Sequence, residues 1–264
     1  MICAVLRYRF LFEQLVRREL RQRYKGSVLG VVWYLVNPLV LMGAYGLMFG
    51  VLLKTAGTDI DDYLLFLFIG LIVWVFFSQS LLSAATSLLD QASIVGKVRF
   101  PRETVPASVV TAQLATFGAL LALVIPVAVA VRGTLDPALL LLLPLIACLF
   151  AFVVGAALVV AILHAYFRDV QPILAAALLP WFFLTPIFFR VDQLPGLADN
   201  RWAEPLLKWV NPIAPFIEGV RSVLYDGRVP DGAVLLYVVV AAAIALGAGW
   251  ALFRRMEREL AVVL

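Results

Sequence analysis

Six apolar stretches, separated by polar segments, divide the sequence. They cover about residues 28–53, 63–89, 107–131, 138–163, 171–189 and 233–253. A helix needs about 20 apolar residues to cross a bilayer, and five of the stretches reach that length comfortably. The pattern predicts an all-α polytopic membrane protein with six transmembrane helices in a single domain, residues 1–264.

The fifth stretch is the shortest, and it carries three prolines, Pro172, Pro180 and Pro186. Proline lacks the backbone N–H that a helix interior uses, and its ring clashes with the preceding turn. We therefore expect the fifth helix to be kinked or broken near its end.

Two segments outside these stretches have a pattern of their own. Residues 4–24 carry arginines mostly opposite an apolar row spaced by four, Tyr8, Phe12, Val16, Leu20 and Tyr24. This spacing predicts a basic amphipathic helix on the inner membrane surface. Residues 190–232 are too polar to span and too aromatic for a plain loop, and their 212–225 part is expected to form a short helix that dips into the membrane.

Composition agrees with a membrane protein. Hydrophobic residues make up 64% of the chain, charged residues 14%, and the mean hydropathy is +1.00. A soluble domain would have about 45–50% apolar and about 25% charged residues. The core of a soluble protein of this length would be too small to bury so many apolar residues.

The placement of charge predicts orientation. If the N-terminus is cytoplasmic, the inner segments hold 14 cations and 7 acids, and the outer segments hold 7 cations and 10 acids. Cytoplasmic loops carry an excess of Lys and Arg. We expect both termini in the cytoplasm.

Asp, Glu, Lys and Arg are missing from all six stretches. Ion-driven pumps place such groups at membrane depth, so coupling to an ion gradient is not expected. The single histidine, His164, lies at the inner end of the fourth stretch, and we favour an interfacial residue with a satisfied hydrogen bond over a proton carrier.

Enzymatic chemistry has little support in the sequence. No GxxxxGK[ST] motif occurs, so the chain is not expected to bind ATP in that way. The neighbouring Asp61 and Asp62 are interpreted as a solvated loop, and no metal site is predicted. A single histidine makes nucleophilic catalysis doubtful, and no catalytic residue is assigned.

Two inner loops are candidates for contact with other proteins. Residues 90–106 read DQASIVGKVRFPRETVP, with an aromatic residue and a proline between cations. The position of this loop on the cytoplasmic side is enough to explain its positive charge. An exposed Phe beside a rigid Pro would also suit a loop that docks on a partner protein. Residues 166–170 read YFRDV, where Arg168 and Asp169 either anchor the chain at the membrane surface or form an inner joint between moving helices.

Five stretches resemble the membrane subunit of type-2 ABC exporters. In order and spacing they are most similar to the branch that exports O-antigen, capsular or teichoic-acid polysaccharides. They are RYKGSVLGVVWYLVNPL (23–39), KVRFPRETVP (97–106), YFRDV (166–170), LTPIFF (184–189) and NPIAPFIEGVRSVLYDG (211–227). The chain departs from the family at Asp90–Gln91, where Asn is frequent, and at its LAVVL end, where the family often has an acidic tail.

The resemblance implies partners and a location. It implies a homodimer in the bacterial inner membrane, two separate ATPase subunits that carry ATP and Mg²⁺, and a polyprenyl-pyrophosphate-linked glycan as cargo. It implies no cofactor on this chain and no nucleic acid.

The resemblance also assigns roles to residues. The N-terminal helix, with Arg17, and the 90–106 loop would face the ATPases, the loop through Lys97, Arg99, Phe100, Pro101 and Arg102. Two re-entrant helices within 192–230 would form an outer gate, with Asn211, Pro212, Phe216 and Arg221.

Two further sets follow from the expected cargo. Aromatic faces can contact sugar rings, so we consider channel lining by Trp33, Tyr34, Phe66, Trp74, Phe77, Trp181 and Phe182, although such residues more often face lipid or pack between helices. Arg21, Arg23 and Lys25 would bind anionic lipid or the pyrophosphate, with simple membrane anchoring as the alternative.

Three other functions remain open from the sequence. A type-2 exporter of a small molecule or lipid would have the same motifs. A transferase acting on polyprenyl-linked sugars would need paired acids near the inner face, where only isolated ones occur. A channel without an energy source is disfavoured by the cationic loop.

Overall fold

The computed structural model describes residues 8–24, 33–52, 60–92, 100–134, 136–193 and 202–257. Most of these residues are helical, and no β-strand occurs among them. We number the main helices α1 (Arg9–Tyr24), α2 (Trp33–Tyr45), α3 (Tyr63–Asp90), α4 (Thr104–Arg132), α5 (Leu142–Tyr166), α6 (Val170–Leu184), α7 (Ala214–Leu224) and α8 (Gly232–Met256).

Shorter helical segments extend or connect these helices. A π-helical segment, Gly46–Leu52, continues α2, and a 3-10 turn, Pro137–Leu141, precedes α5. Between α6 and α7 lie the 3-10 turn Val191–Gln193 and the helical segments Ala203–Pro205 and Leu206–Val210.

Within the described residues, four helices are long and apolar enough to cross a membrane. They are α3, α4, α5 together with its 3-10 turn, and α8. The apolar helices Val36–Leu52 and Val170–Leu184 are shorter, and residues 28–32 of the predicted first span lie outside the described residues. The chain is therefore a multi-pass membrane protein, while spanning by α2 and α6 stays a prediction.

The fifth predicted span ends early. It was expected to reach residue 189, but α6 ends at Leu184, and Thr185 adopts an extended conformation. Pro186 cannot continue a helix, and it disfavours the helical conformation in the residue before it. The predicted break near the end of this span is thus confirmed.

Helix α3 forms the centre of the bundle. It packs against α4, α5, α6, α7 and α2. Nearly every side chain from Leu65 to Phe77 is buried, because this helix is apolar all round and no part of its surface needs to face water.

Helices α5 and α8 pack at very close range. A Cβ on Gly155 would overlap the backbone of Ala245, and a Cβ on Gly249 would overlap the carbonyl group of Gly155. Small residues allow helix backbones in membranes to approach each other this closely. The two glycines are therefore needed by the packing of α5 on α8.

Contacts between distant residues define two ends of the bundle. At the end that we call basal, the ends of α5 and α8 meet, where the Tyr166 hydroxyl donates to the Met256 carbonyl at 2.7 Å. At the opposite, apical end, the Tyr63 hydroxyl at the start of α3 donates to the Phe188 carbonyl at 3.1 Å. Helix α7 also lies at the apical end.

Helix α1 lies at the basal end against α4. Its most buried side chain is Leu15, and Tyr8, Leu11 and Phe12 pack beside it. The buried face follows the i, i+3, i+4, i+7 pattern and includes Tyr8 and Phe12 of the predicted row, whose Val16 and Leu20 are half-buried. Arg17 and Arg21 remain exposed, as an amphipathic helix requires.

Candidate functional site

An aromatic cluster joins α2, α3 and α6. The ring centroids of Trp74 and Phe182 are 5.6 Å apart, and those of Phe77 and Trp181 are 5.3 Å apart. On the other side, Tyr45 of α2 lies 5.4 Å from Phe182. These tilted and edge-on contacts are favourable ring geometries.

The predicted channel-lining residues fall into different environments. Phe66, Trp74 and Phe77 are buried within the protein, and so is Phe182. Trp181 is half-buried, Trp33 is exposed, and the side chain of Tyr34 lies outside what is described. Packing between helices accounts for the four buried rings, and channel lining stays a prediction for the whole set.

Asn211 connects the start of α7 to the end of α6. Its side-chain oxygen accepts hydrogen bonds from Trp181 Nε1 at 3.0 Å and from the Ile213 backbone at 3.3 Å. Its side-chain nitrogen donates to Thr185 Oγ1 at 2.9 Å. A buried amide with this many partners holds α7 against α6.

Arg221 makes a second connection from α7. Its guanidinium is buried and donates to the backbone carbonyls of Phe66 at 3.2 Å, Ile187 at 2.6 Å and Pro186. The guanidinium carbon lies 3.6 Å from the centroid of the Phe66 ring. A Cβ on Gly70 would overlap the guanidinium, so this glycine leaves the space that it occupies.

The other two predicted gate residues lie in the same region. Phe216 is buried in α7 and packs on Phe152, with ring centroids 5.0 Å apart. Pro212 is half-buried just before α7. The structure thus brings the four predicted gate residues together around one helix, and gating stays a prediction.

Several charged residues that the sequence analysis did not single out surround this helix. Asp226 accepts a hydrogen bond from Arg190 at 2.8 Å and pairs with Arg228 at 3.2 Å. The Arg190 guanidinium also lies 5.5 Å from the centroid of the Tyr225 ring. Arg190 lies 36 positions before Asp226, so no local sequence pattern links the two. Asp226 itself lies in the motif NPIAPFIEGVRSVLYDG, but no role was assigned to it there.

Two pKa values at the apical end are shifted. Burial lowers the pKa of Arg190, but the hydrogen bond and charge of Asp226 outweigh it and hold the pKa above its ordinary value. Burial raises the pKa of the Tyr225 hydroxyl, which the Arg190 charge partly offsets. Arg190 is therefore a permanent cation, and Tyr225 is neutral at physiological pH.

A basal cluster surrounds the end of the predicted coupling loop. Arg254 Nη2 lies 2.9 Å from an oxygen of the buried Glu103, and Arg102 Nη1 donates to the Glu257 carbonyl at 2.9 Å. The segment before α4 is therefore bound to the end of α8. Of these four residues, only Arg102 was a predicted site residue.

The expectation of an exposed Phe100 is wrong. Its side chain is 9% exposed and belongs to the main hydrophobic core, while Pro101 and Arg102 are half-buried. A Phe that follows the inner loop gains more from burial in the helix bundle than from exposure. Contact of this loop with an ATPase stays a prediction. Phe100 does not support it, because a buried ring is not available as an anchor for a partner.

The remaining predicted residues lie at the basal end or outside the described residues. Arg17 pairs with Glu13 at 3.7 Å, and Arg21 is exposed. Lys25, Lys97 and Arg99 lie outside the described residues, as does the side chain of Arg23. The roles of all six stay predictions.

The inner joint between α5 and α6 has a defined structure. Arg168 and Asp169 are exposed, and neither has an ion-pair partner among the described residues. His164 is buried, and its Nδ1 accepts a hydrogen bond from the Gln171 backbone at 3.3 Å. The satisfied hydrogen bond predicted for His164 is confirmed.

Metal-binding side chains are dispersed in the part of the chain that is described. No group of three or more His, Cys, Asp or Glu residues there could hold a metal ion.

Comparison with known proteins extends over almost the whole chain. The O-antigen export system permease protein RfbA of Myxococcus xanthus is 29% identical over 262 residues, which cover 99% of this chain and 98% of that protein. A Klebsiella pneumoniae protein of the same name is 29% identical, with coverage of 97% and 96%. The polysialic acid transport protein KpsM of Escherichia coli is 26% identical, with coverage of 94% of each chain.

A family model provides the assignment. The model of the ABC-2 type transporter matches residues 11–225, which run from α1 to the end of α7. A permease role, rather than catalysis, agrees with the names of these relatives. The chain therefore belongs to the ABC-2 type transporter family.

Proposed function

We propose that the chain is the channel-forming subunit of an ATP-driven exporter that moves a lipid-linked polysaccharide, such as an O-antigen, across the bacterial inner membrane. The observation that carries this proposal is similarity over nearly the full length to permeases named for O-antigen export. No cofactor would be bound by the chain, and ATP and Mg²⁺ would be bound by a separate ATPase subunit.

The orientation follows from charge. The basal end holds the basic α1 and the ends of α5 and α8, and it would face the cytoplasm with both termini. The apical end, with α7, would face outward, and α7 would be a re-entrant helix that gates the exit. Burial of α7 on every residue except Glu218 supports a position within the membrane region.

A homodimer would cover apolar side chains that a single copy leaves exposed. Helix α6 exposes Ile173 and Leu179, each 65% exposed, and α2 exposes Val40. Lipid would cover these apolar side chains on a monomer, whereas a second copy would cover them in the dimer. A channel for the glycan would then run between the two copies, near α2 and α6.

Coupling to the ATPases would occur at the basal end. ATPase closure would move α1 and the loop before α4, and the contacts of Arg102 and Arg254 would pass that movement to α8. Arg21, with Arg23 and Lys25, would bind anionic lipid or the pyrophosphate of the cargo. If a double Arg21→Ala, Arg23→Ala variant exports normally at normal protein levels, the pyrophosphate role is wrong.

The first experiment is affinity purification of the tagged chain from native membranes in mild detergent, followed by mass spectrometry. We expect a P-loop ATPase in equal amount and a polyprenyl-linked polysaccharide. An ATPase with no glycan would favour the alternative, a type-2 exporter of a small molecule or lipid. Recovery of the chain alone would contradict the proposal.

A further inference from the structure

A polar cavity of about 280 Å³ opens at the apical end beside α7. Its floor is formed by Phe66 and Arg221, which are buried, and its rim by more exposed residues such as Asp192 and Asp231. The volume lies near the lower end of the roughly 300–1,000 Å³ that small-molecule sites occupy. The cavity therefore suits a small ligand, or a short part of a larger one.

The charges of the lining balance each other. The cations are Arg190, Lys208, Arg221 and Arg228, and the acids are Asp192, Glu218, Asp226 and Asp231. An anionic ligand would meet four carboxylates and a cationic ligand would meet four cations. The lining thus disfavours a charged ligand of either sign.

The same lining offers both hydrogen-bond donors and acceptors. Guanidinium and ammonium groups only donate, and ionised carboxylates only accept, whereas a hydroxyl group does both. An uncharged ligand rich in hydroxyl groups can therefore pair with both kinds of side chain, and Pro186 and Val191 supply apolar surface for its C–H faces. Sugar units have this chemistry.

Two carboxylates of the lining are able to accept hydrogen bonds from a ligand. Asp231 precedes α8, but its side chain makes no capping hydrogen bond to that helix. Neither Asp231 nor Asp192 has an ion-pair partner among the described residues. Arg190, in contrast, is held in place by Asp226 and by the Phe66 and Tyr225 rings, which presents a rigid donor.

We propose that this cavity is a carbohydrate subsite that binds an uncharged sugar unit of the exported glycan at the exit side. The inference rests on the proposed function, because it takes the polysaccharide as cargo. Asp192 and Asp231 accept hydrogen bonds from sugar hydroxyls, and Arg190 donates to a sugar oxygen. A subsite here holds the emerging end of the chain beside α7.

The test is saturation-transfer NMR with the purified full-length chain in deuterated detergent. The probes are uncharged trisaccharides of mannose, galactose, glucose, rhamnose and N-acetylglucosamine, with trigalacturonic acid as the charged comparison. We expect at least one uncharged trisaccharide to bind. The double variant Asp192→Asn, Asp231→Asn should weaken that binding about tenfold or more, since it removes two charged acceptors.

The matched control is the double variant Asp90→Asn, Glu204→Gln, which neutralises two exposed acids outside the cavity lining. It should bind as the unaltered chain does. The proposal is overturned if no uncharged trisaccharide binds, if trigalacturonic acid alone binds, or if both double variants bind equally well.

Deletion of the gene from cells separates this inference from the proposed function. Loss of surface glycan on deletion, together with failure of every trisaccharide to bind, would overturn the subsite and leave the export function intact. Unchanged surface glycan on deletion would overturn the export function itself, whatever the NMR result. Binding that the Asp192 and Asp231 changes abolish, with glycan lost on deletion, supports both.

Discussion

The buried guanidinium of Arg221 joins three segments that are far apart in sequence. It satisfies backbone carbonyls of Phe66, Pro186 and Ile187, two of which lie in the irregular segment after α6. A buried charge is tolerated only when its hydrogen bonds are satisfied. Its role in this structure is to hold the apical end together.

Replacing Arg221 should therefore destabilise the protein strongly. Arg221→Met leaves buried carbonyls without a donor, at a cost of about 3 kcal/mol. Arg221→Lys should lower stability as well, since an ammonium group lacks the planar fork that reaches several carbonyls. Thermal unfolding of the purified chain measures both, with Arg255→Ala, an exposed arginine, as the control. A melting temperature of Arg221→Met equal to that of the control would contradict the assignment.

Gly70 offers a test of the same contact from the other side. Gly70→Ala would place a methyl group against the guanidinium and should lower the melting temperature. In an Arg221→Met background the added effect should be much smaller, because the two residues interact directly. Equal effects in both backgrounds would show that the guanidinium does not fill this space.

The contact between α5 and α8 can be tested at Gly155. Gly155→Ala should cost about 1–3 kcal/mol, because the added methyl group overlaps the α8 backbone. Gly118→Ala is the matched control, since nothing lies within 4 Å of its Cβ position, and alanine is the better helix former there. Gly118→Ala should be neutral or stabilising in thermal unfolding. Similar losses for both variants would exclude close packing as the cause.

At the scale of helices, α7 is attached to the end of α6 at two points, Asn211 and Arg221. The attachment bridges the break that Pro186 imposes, so the end of α6 has a fixed position despite its irregular backbone. Any displacement of the apical end of α6 would therefore displace α7 as well.

Asn211→Ala should loosen this attachment. Amide hydrogen exchange of residues 185–189 should become about tenfold faster, because local opening loses the hydrogen bonds of the Asn211 side chain. Asn37→Ala, at an exposed asparagine of α2, should leave that exchange unchanged. Unaltered exchange in Asn211→Ala would mean that Arg221 alone holds α6 and α7 together.

For the whole molecule, the two ends differ in the residues that they present. Basic residues of α1 and the ends of α5 and α8 lie at the basal end, and the polar cavity lies at the apical end. The proposed orientation places the first in the cytoplasm and the second outside.

Cysteine labelling in intact cells tests that orientation. A chain whose Cys3 and Cys148 are replaced by serine would carry either Arg228→Cys, at the apical end, or Arg255→Cys, at the end of α8. A membrane-impermeant maleimide should label the first in intact cells and the second only after the cells are opened. The reverse pattern would invert the topology.

Much of the architecture could be predicted because it depends on local pattern. Apolar runs of about 20 residues force helices in a bilayer, since backbone groups there have no water to bind. The same reasoning predicted α1 and the break before Pro186. It misplaced the end of α6, because that end depends on what the helix packs against.

The candidate site was predictable only in part. The motif around α7 pointed to Asn211, Phe216 and Arg221, and the structure brings them together. Their partners, such as Thr185 and the carbonyl of Phe66, could not be found from spacing, because helices far apart in sequence supply them. Phe100 was expected to be exposed and is buried, since composition does not reveal which aromatic residues the bundle covers.

By itself the sequence determined the class of protein: a multi-pass helical membrane chain with no Asp, Glu, Lys or Arg in its predicted spans and with the motifs of a transporter family. Those features follow from hydropathy, charge placement and short motifs, each of which is local. Only the tertiary structure decided that Arg221 bonds three carbonyls, that Glu103 meets Arg254, and that balanced charges surround an apical cavity. These depend on helix packing, which brings together hydrogen-bonding groups up to 164 positions apart in the sequence.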